Sequence, residues 1–175
     1  MKITIIGPSG GGKSTLSRKI SQKFNIPRFE IDRVWFKYGG QLSMNGTPEE
    51  REIVSQKICV EIEEFLASNE QWVFDGTYSK LQPIIAEQAD FVVLIKRPLL
   101  NRVFSHIRRV FKNDNRHPEI GRMQDLVFVK TIFKRWQKQE DTKLDEFVKQ
   151  YKKKLLVLRN FKEIDSFFET VKTNR

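Results

Sequence analysis

One stretch near the amino terminus decides how this chain folds: Gly7-Pro8-Ser9-Gly10-Gly11-Gly12-Lys13-Ser14-Thr15. The residues just before it, Lys2-Ile3-Thr4-Ile5-Ile6, form a β-branched run that predicts a buried strand. Just after it, Leu16, Ile20 and Phe24 recur at four-residue spacing, which predicts a helix. The stretch therefore matches the full G-x-x-x-x-G-K-[ST] pattern between a strand and a helix, the context in which that pattern binds phosphate groups.

The residue types in this stretch suit a phosphate-binding loop. Glycines allow the backbone to wrap closely around phosphate oxygens and to turn successive N–H groups inward. A helix that begins near Lys13 adds the positive end of its dipole. The pattern places the Lys13 ammonium at the β- and γ-phosphates and the Ser14 hydroxyl on Mg²⁺. We therefore predict that ATP with Mg²⁺ is bound by Gly7, Pro8, Ser9, Gly10, Gly11, Gly12, Lys13, Ser14 and Thr15.

Short apolar runs alternate with helical patterns along the rest of the chain, which predicts an α/β fold with a mainly parallel sheet. The further predicted strands are Arg28-Phe29-Glu30-Ile31-Asp32, Trp72-Val73-Phe74-Asp75, Phe91-Val92-Val93-Leu94-Ile95 and Leu155-Leu156-Val157-Leu158. Thr47-Pro48-Glu49-Glu50 is a capping-box sequence and predicts the start of a helix. Another helix is predicted after Pro98, with an apolar stripe formed by Leu100, Val103, Ile107 and Val110.

The excess positive charge of the chain is confined to one region. The 175 residues carry a formal net charge of +10, and residues 96–154 hold 17 Lys or Arg against 7 Asp or Glu. The remaining residues are balanced in charge. A basic region of this kind attracts polyanions, either nucleotide phosphates or nucleic acid. A solvated basic helical face is the structural alternative.

Length and composition exclude several classes of protein. A chain of 175 residues predicts a single domain over residues 1–175, and its 39% hydrophobic and 31% charged content excludes a collagen-like or wholly disordered chain. The single cysteine, Cys59, cannot form a disulfide within the chain, which favours the cytoplasm. No apolar run approaches the roughly 20 residues that span a bilayer, so we expect no membrane partner.

Together these segments resemble the nucleoside-monophosphate-kinase-like P-loop proteins, and more closely the adenylate-kinase-related DNA topology modulation (FlaR-like) proteins. The resemblance covers most of the chain and is carried by Lys2-Ile3-Thr4-Ile5-Ile6-Gly7, Ile31-Asp32-Arg33-Val34-Trp35-Phe36 and Trp72-Val73-Phe74-Asp75-Gly76-Thr77-Tyr78-Ser79. It implies a three-layer P-loop fold, in which a five-stranded parallel sheet of order 2-3-1-4-5 has helices on both faces. It also implies that the basic helical insertion at about residues 98–154 is a lid over the triphosphate.

The resemblance implies roles for two aspartates at the carboxyl edge of the sheet. Asp75 matches the Asp-Gly that follows the third strand, which implies contact with Mg²⁺ through water. Asp32 stands where small-molecule kinases of the shikimate type hold the acceptor hydroxyl, so it would orient the nucleophile or accept its proton. A helix cap or a turn residue is the structural alternative for each carboxylate.

Cations around the transferred phosphoryl group are the remaining requirement of the chemistry, and arginine forks match its oxygens. The candidates in the basic region are Arg102, Arg109, Arg116 and Arg122, and a plain surface charge is the alternative for each. Arg159 follows the fifth strand, in the turn that would run beside the adenine in a kinase of this fold.

The segment Asp75-Gly76-Thr77-Tyr78-Ser79 departs from true adenylate kinases, whose Asp-Gly-Phe-Pro-Arg segment carries an arginine that binds the acceptor phosphate. Lys80 is the nearest cation here. We therefore predict a kinase that transfers the γ-phosphoryl group of ATP·Mg²⁺ to a small-molecule or nucleotide acceptor of unassigned identity. A nucleotide-dependent nucleic-acid-binding protein that uses residues 96–154 is the main alternative, and an ATPase coupled to motion is another.

Overall fold

A computed structural model of the chain describes residues 1–40, 46–78, 80–112, 148–160 and 163–173. In chain order its elements are β1 (Lys2–Ile6), α1 (Lys13–Phe24), β2 (Arg28–Glu30), α2 (Ile31–Lys37), α3 (Pro48–Ser68), β3 (Trp72–Asp75), α4 (Gln82–Gln88), β4 (Phe91–Ile95), α5 (Leu99–Lys112), a 3₁₀ turn (Lys152–Lys154), β5 (Leu155–Leu158) and α6 (Glu163–Thr173). In the part of the chain that is described, no helix is both long and apolar enough to cross a membrane.

The five strands form one parallel sheet in the order β2-β3-β1-β4-β5, which confirms the predicted fold class. The register pairs Asp75 of β3 with Ile5 of β1 on one side and with Glu30 of β2 on the other. Asp75 therefore ends the central strand of this group, at the carboxyl edge, where open α/β sheets bind their ligands.

The chain divides into two compact units. The first comprises Met1–Ile6 and Ser14–Phe91, and the second comprises Gly7–Lys13 and Val92–Arg175.

The core of the first unit forms around β3, whose four residues are all buried. The rings of Phe29 and Phe74 stack at 4.9 Å between centroids. Helix α3 adds one apolar face, formed by Ile58, Ile62 and Leu66. Its start is the predicted capping box: Glu50 N donates to Thr47 Oγ1 at 3.2 Å, and Thr47 N donates to Glu50 Oε2 at 2.7 Å.

The second unit contains β4 and β5, paired from Val92 with Leu155 to Ile95 with Leu158. Buried aromatic side chains of α6, Phe167 and Phe168, supply the apolar face of this helix. The apolar stripe predicted for α5 is less buried than the apolar face of α6, because Leu100 is 81% exposed and Ile107 is 40% exposed. Phe104, at 66% exposed, belongs to the same exposed face.

The second predicted strand is two residues too long. β2 ends at Glu30, and Ile31 begins α2 directly, with Glu30 as the N-cap residue in an extended conformation. The physical reason lies at Gly76, where an added Cβ would lie 2.2 Å from Ile31 Cγ2. This close approach of the third strand's exit turn keeps Ile31 buried at the start of the helix.

Candidate functional site

The phosphate loop, residues 7–13, joins β1 to α1 in the predicted strand–loop–helix order. Gly7 and Gly12 have φ values of 142° and 102°, which only glycine adopts readily. An added Cβ on Gly7 would also lie 2.7 Å from the carbonyl oxygen of Ile95, so the loop packs backbone to backbone there. The N–H of Gly11 donates to Pro8 O at 3.1 Å and closes the turn.

Lys13 folds back over the start of this loop. Its Nζ donates to Gly7 O at 3.0 Å and to Pro8 O at 3.2 Å, and the side chain is partly buried. The ammonium thereby gathers carbonyl oxygens at one end of the loop and adds a positive charge to the amino end of α1. A loop of this shape, with a cation beside it, suits an anionic phosphate group.

Arg102 is the predicted lid arginine that contacts the phosphate loop. It lies in the first turn of α5, where its N–H donates to Pro98 O at 3.2 Å. Its side-chain Nε donates to Ser9 O at 3.0 Å. A guanidinium carries five N–H donors in a planar fork, a geometry that matches phosphate oxygens.

The structure describes only some of the other predicted arginines. Arg109 lies in α5, whereas Arg116 and Arg122 lie outside the described residues. Arg159 follows β5 and is exposed, and its backbone N–H donates to Glu163 Oε2 at 2.6 Å.

The excess positive charge is concentrated at the two ends of the basic region. Residues 96–112 and 148–154 hold ten Lys or Arg and no Asp or Glu, whereas residues 113–147 are balanced. The basic character therefore belongs to α5 and to the 3₁₀ turn before β5.

A buried carboxylate ends β3 in the first unit. Asp75 is 5% exposed, and its Oδ2 lies 3.0 Å from Ser17 Oγ on α1. The same hydroxyl lies 3.2 Å from the carbonyl oxygen of Ser14, one helical turn earlier. Ser14 and its neighbour Thr15 are half-buried in that first turn.

Asp75 and Ser14 have the donor chemistry that Mg²⁺ prefers. Magnesium in phosphoryl-transfer sites is held by one or two protein oxygens while the substrate phosphates and water supply the rest. The Asp75 carboxylate is linked through Ser17 Oγ to the backbone carbonyl of Ser14, and the phosphate loop lies directly before Ser14 in the chain.

Asp32 occupies a place that the sequence did not predict. It lies in the first turn of α2 and is exposed, instead of ending β2. An acidic residue in the first turn stabilises the helix through its dipole. This agrees in part with the structural alternative for Asp32, a role at the start of a helix. The packing of Ile31 against Gly76 keeps this turn next to the turn that follows β3.

Sequence reasoning missed a group of polar contacts beyond β3. The hydroxyl groups of Tyr78 and Ser55 lie 2.7 Å apart, and the N–H of Tyr78 donates to Gln82 Oε1 at 3.1 Å. Burial raises the pKa of the Tyr78 hydroxyl above its ordinary value, and Cys59 beside it acts in the same direction. Because Ser55 and Tyr78 are far apart in the chain, no local pattern indicates their contact.

Lys80, the cation nearest to the departure from adenylate kinases, is paired. Its Nζ donates to Glu52 Oε2 at 2.9 Å, a hydrogen bond that raises the pKa of Lys80 and lowers that of Glu52. Lys37, at the end of α2, forms a similar pair with Glu61 at 2.7 Å. Burial alone would raise the pKa of Glu61, but hydrogen bonds from Lys37 and Tyr38 bring it below its ordinary value.

Solved structures of kinases share this fold. Deoxyadenosine kinase from M. mycoides, solved with dCMP and dCDP, superposes with a TM-score of 0.58 at 19% identity over 99% of this chain and all of that one. Shikimate kinase from Acinetobacter baumannii, solved with shikimate, gives a TM-score of 0.56 at 15% identity over 99% of this chain and 94% of that one. At these identities the likeness concerns the fold.

A match to a curated protein sequence and a match to a family model bear more directly on the family of this chain than the shared fold does. The cytidylate kinase of Aquifex aeolicus (strain VF5) is 55% identical over 38 residues, which is 22% of this chain and only 17% of that enzyme. The family model described as an AAA domain, AAA_18, matches residues 3–126, a range that contains the phosphate loop, Asp75 and all of α5. The chain therefore belongs to the AAA_18 family of P-loop domains.

Proposed function

We propose that this chain is a kinase that binds ATP·Mg²⁺ at its phosphate loop and transfers the γ-phosphoryl group to a small-molecule or nucleotide acceptor. The observation that carries the proposal is the loop itself, with Lys13 Nζ held at 3.0 Å from Gly7 O and Gly7 packed against Ile95. Kinases among the relatives and structural neighbours support it. The closer resemblance to DNA topology modulation proteins stays a prediction.

In this proposal the backbone of the loop and the side chains of Lys13 and Arg102 bind the triphosphate. The N–H groups and the two cations compensate the charge that spreads over the phosphoryl oxygens during transfer. Thr15 and the loop residues Ser9, Gly10 and Gly11 contribute through their position around the phosphates. Arg109, Arg116, Arg122 and Arg159 remain candidates for further contacts on the nucleotide side.

Ser14 and Asp75 are the residues that would hold Mg²⁺. When bound, the ion supplies neutralisation of phosphate charge and fixes the orientation of the triphosphate. Ser17 orients the Asp75 carboxylate by its contact at 3.0 Å.

Asp32 is assigned to the acceptor in this proposal. The acceptor oxygen forms a bond to the γ-phosphorus, and the bond from that phosphorus to the bridging oxygen of ADP breaks. The hydroxyl proton passes to the Asp32 carboxylate or to solvent.

The kinases compared above lend no support to a nucleic acid partner. The positive charge of residues 96–112 and 148–154 suits nucleotide phosphates equally well, so it does not favour the nucleic acid alternative.

Lys13→Ala tests the proposal. We expect the variant to fold and to lose at least about 100-fold in phosphoryl transfer, because a charged group that acts on the transferring phosphate is worth several kcal/mol. Calorimetry with ATP and Mg²⁺ gives the binding constant, and acceptor-dependent release of ADP gives the rate. Lys19→Ala is the matched control, since Lys19 lies in the same helix and is exposed. A folded wild-type chain that binds no ATP or GTP with Mg²⁺ would contradict the proposal.

A further inference from the structure

The buried side-chain amide of Gln82 follows the proposed metal-binding carboxylate along the chain. Gln82 is the first residue of α4 and is 5% exposed. Its Oε1 accepts a hydrogen bond from the N–H of Tyr78 at 3.1 Å, so the orientation of the amide is defined. Its Nε2 is buried and has no hydrogen-bond partner among the described atoms. Buried N–H groups are nearly always paired in native proteins, so this donor calls for a partner that binds from outside the chain.

The amide belongs to the carboxyl edge of the sheet. The register places Glu30 of β2 beside Asp75 of β3, so the segments that follow these strands start side by side. Gly76 and Ile31 approach so closely that an added Cβ would lie 2.2 Å from the Ile31 side chain. The segment with Tyr78 and Gln82 therefore starts next to the turn that carries Asp32, the residue assigned to the acceptor.

The basic side chains of these two segments face carboxylates. There are four Lys and Arg residues in these segments, which comprise residues 28–40, 76–78 and 80–88. Lys80 pairs with Glu52 at 2.9 Å, and Lys37 pairs with Glu61 at 2.7 Å. The other two also interact with glutamates. Arg28 forms an ion pair with Glu30, and the positive charge of Arg33 lowers the pKa of Glu61.

A phosphate ester needs the opposite environment. A phosphomonoester carries nearly two negative charges at neutral pH and is bound by arginine forks or by clusters of N–H groups. Here the cations are matched by glutamates, and Asp32 adds a further carboxylate at the same edge. Repulsion from like charges of this kind excludes wrong partners. A hydroxyl compound without charge meets no such repulsion and can accept a hydrogen bond from Gln82 Nε2.

We infer that the acceptor is an uncharged hydroxyl compound, such as a nucleoside or a polyol, and not a phosphate ester, and that Gln82 Nε2 donates a hydrogen bond to it. The inference rests on the proposed kinase function. The hydroxyl oxygen of the acceptor is the nucleophile in the transfer described above, so the products are the phosphate ester of the acceptor and ADP.

Matched pairs of acceptors test the class directly. The wild-type chain is assayed with ATP·Mg²⁺ and with adenosine, deoxyadenosine, cytidine or glycerol, each beside its own monophosphate ester, and kcat/KM is taken from ADP release. We expect the unphosphorylated member of at least one pair to be preferred by at least about 10-fold, a difference of about 1.4 kcal/mol. Preference for the phosphate ester in every productive pair would overturn the inference.

The same assay separates two kinds of failure. If ATP binds by calorimetry but none of the uncharged compounds is phosphorylated, the acceptor class is wrong while the nucleotide site stands. If ATP does not bind, the proposed function itself has failed.

Two variants test the residues. Gln82→Glu keeps the oxygen that accepts from Tyr78 N and removes the donor, so we expect KM for the acceptor to rise at least about 10-fold while KM for ATP changes less than about twofold. Gln88→Glu, exposed at the other end of α4, is the control. An unchanged acceptor KM in folded Gln82→Glu would remove Gln82 from the inference.

The second variant is Glu52→Gln. Glu52 lies on the surface, so this substitution does not alter the core. Because it releases Lys80 from its ion pair, we expect the preference to shift toward the phosphate ester by at least about fivefold. Glu63→Gln on the same helix is the control and should leave the preference unchanged. No shift in Glu52→Gln would show that the Lys80–Glu52 pair does not select against phosphate.

Discussion

The phosphate loop and the segments beyond β2 and β3 are built in different ways. In the loop, backbone geometry decides the structure: Gly7 and Gly12 adopt positive φ, and Lys13 binds carbonyl oxygens only a few residues away. Beyond β2 and β3, side chains distant in sequence decide it, as with the contact between Tyr78 and Ser55. The comparison teaches that the phosphate loop is a local motif, whereas the segments beyond β2 and β3 are assembled by the fold.

The largest effect is expected from the loop. Gly7→Val would place a branched side chain at a φ of 142° and bring its Cβ 2.7 Å from Ile95 O. We expect ATP binding to weaken by about 100-fold or more, equal to about 3 kcal/mol of binding free energy. Calorimetry with ATP and Mg²⁺ measures the change.

Gly39→Ala is the matched control for this variant. Gly39 also has a positive φ, 70°, but an added Cβ there meets no atom within 4 Å. We expect a loss of roughly 1 kcal/mol in the free energy of unfolding and no change in ATP affinity. If both variants bound ATP equally well, the geometry of the loop would not be what holds the nucleotide.

An intermediate effect is expected at Asp75, where a local turn and a long-range contact meet. Asp75→Asn keeps the size of the side chain but removes the charge proposed to act on Mg²⁺. We expect kcat to fall by about 100-fold while ATP still binds, a size typical of losing one electrostatic contact in phosphoryl or acyl transfer. Steady-state kinetics at several Mg²⁺ concentrations measures it.

Asp90→Asn is the control for that variant. The Asp90 carboxylate accepts a hydrogen bond from the N–H of Lys2 at 2.7 Å and is exposed. Equal losses of kcat in the two variants would assign the effect to the stability of the sheet and not to the proposed metal site.

The smallest effect is expected at Tyr78. Tyr78→Phe removes the hydroxyl that contacts Ser55 and should lower the free energy of unfolding by about 1 kcal/mol. Because the folded state raises the pKa of Tyr78, this contribution is fully present below about pH 10 and is lost as the pH rises through the higher folded value. Urea unfolding of both proteins at pH 8, 9.5 and 10.5 measures it.

The sign of the pH dependence is the decisive feature of that experiment. The difference between wild type and Tyr78→Phe should shrink as the pH rises, and Tyr38→Phe controls for general effects of alkali. A difference that grew with pH would mean that folding favours the ionised form of Tyr78.

Prediction from the sequence succeeded where the signal was local. The phosphate loop, the capping box at Thr47 and the cores of all five strands follow from residue type and short spacing, and the structure has them at the predicted places. The boundary of β2 did not follow, because the contact of Gly76 with Ile31 brings together residues 45 positions apart. Exposed Leu100 and Ile107 show the same limit, since periodicity identifies a face of a helix but not what covers it.

The sequence by itself determined that a triphosphate-type loop stands between a strand and a helix, because glycine, lysine and serine at fixed offsets impose that geometry on the backbone. Only the tertiary structure decided which side chains distant in the chain contact each other. Arg102 contacts Ser9, Asp75 contacts Ser17, and Glu52 neutralises Lys80. The physical reason is that a backbone motif is encoded by neighbours along the chain, whereas a pairing of charges depends on which strand ends and helix faces the folded sheet brings together.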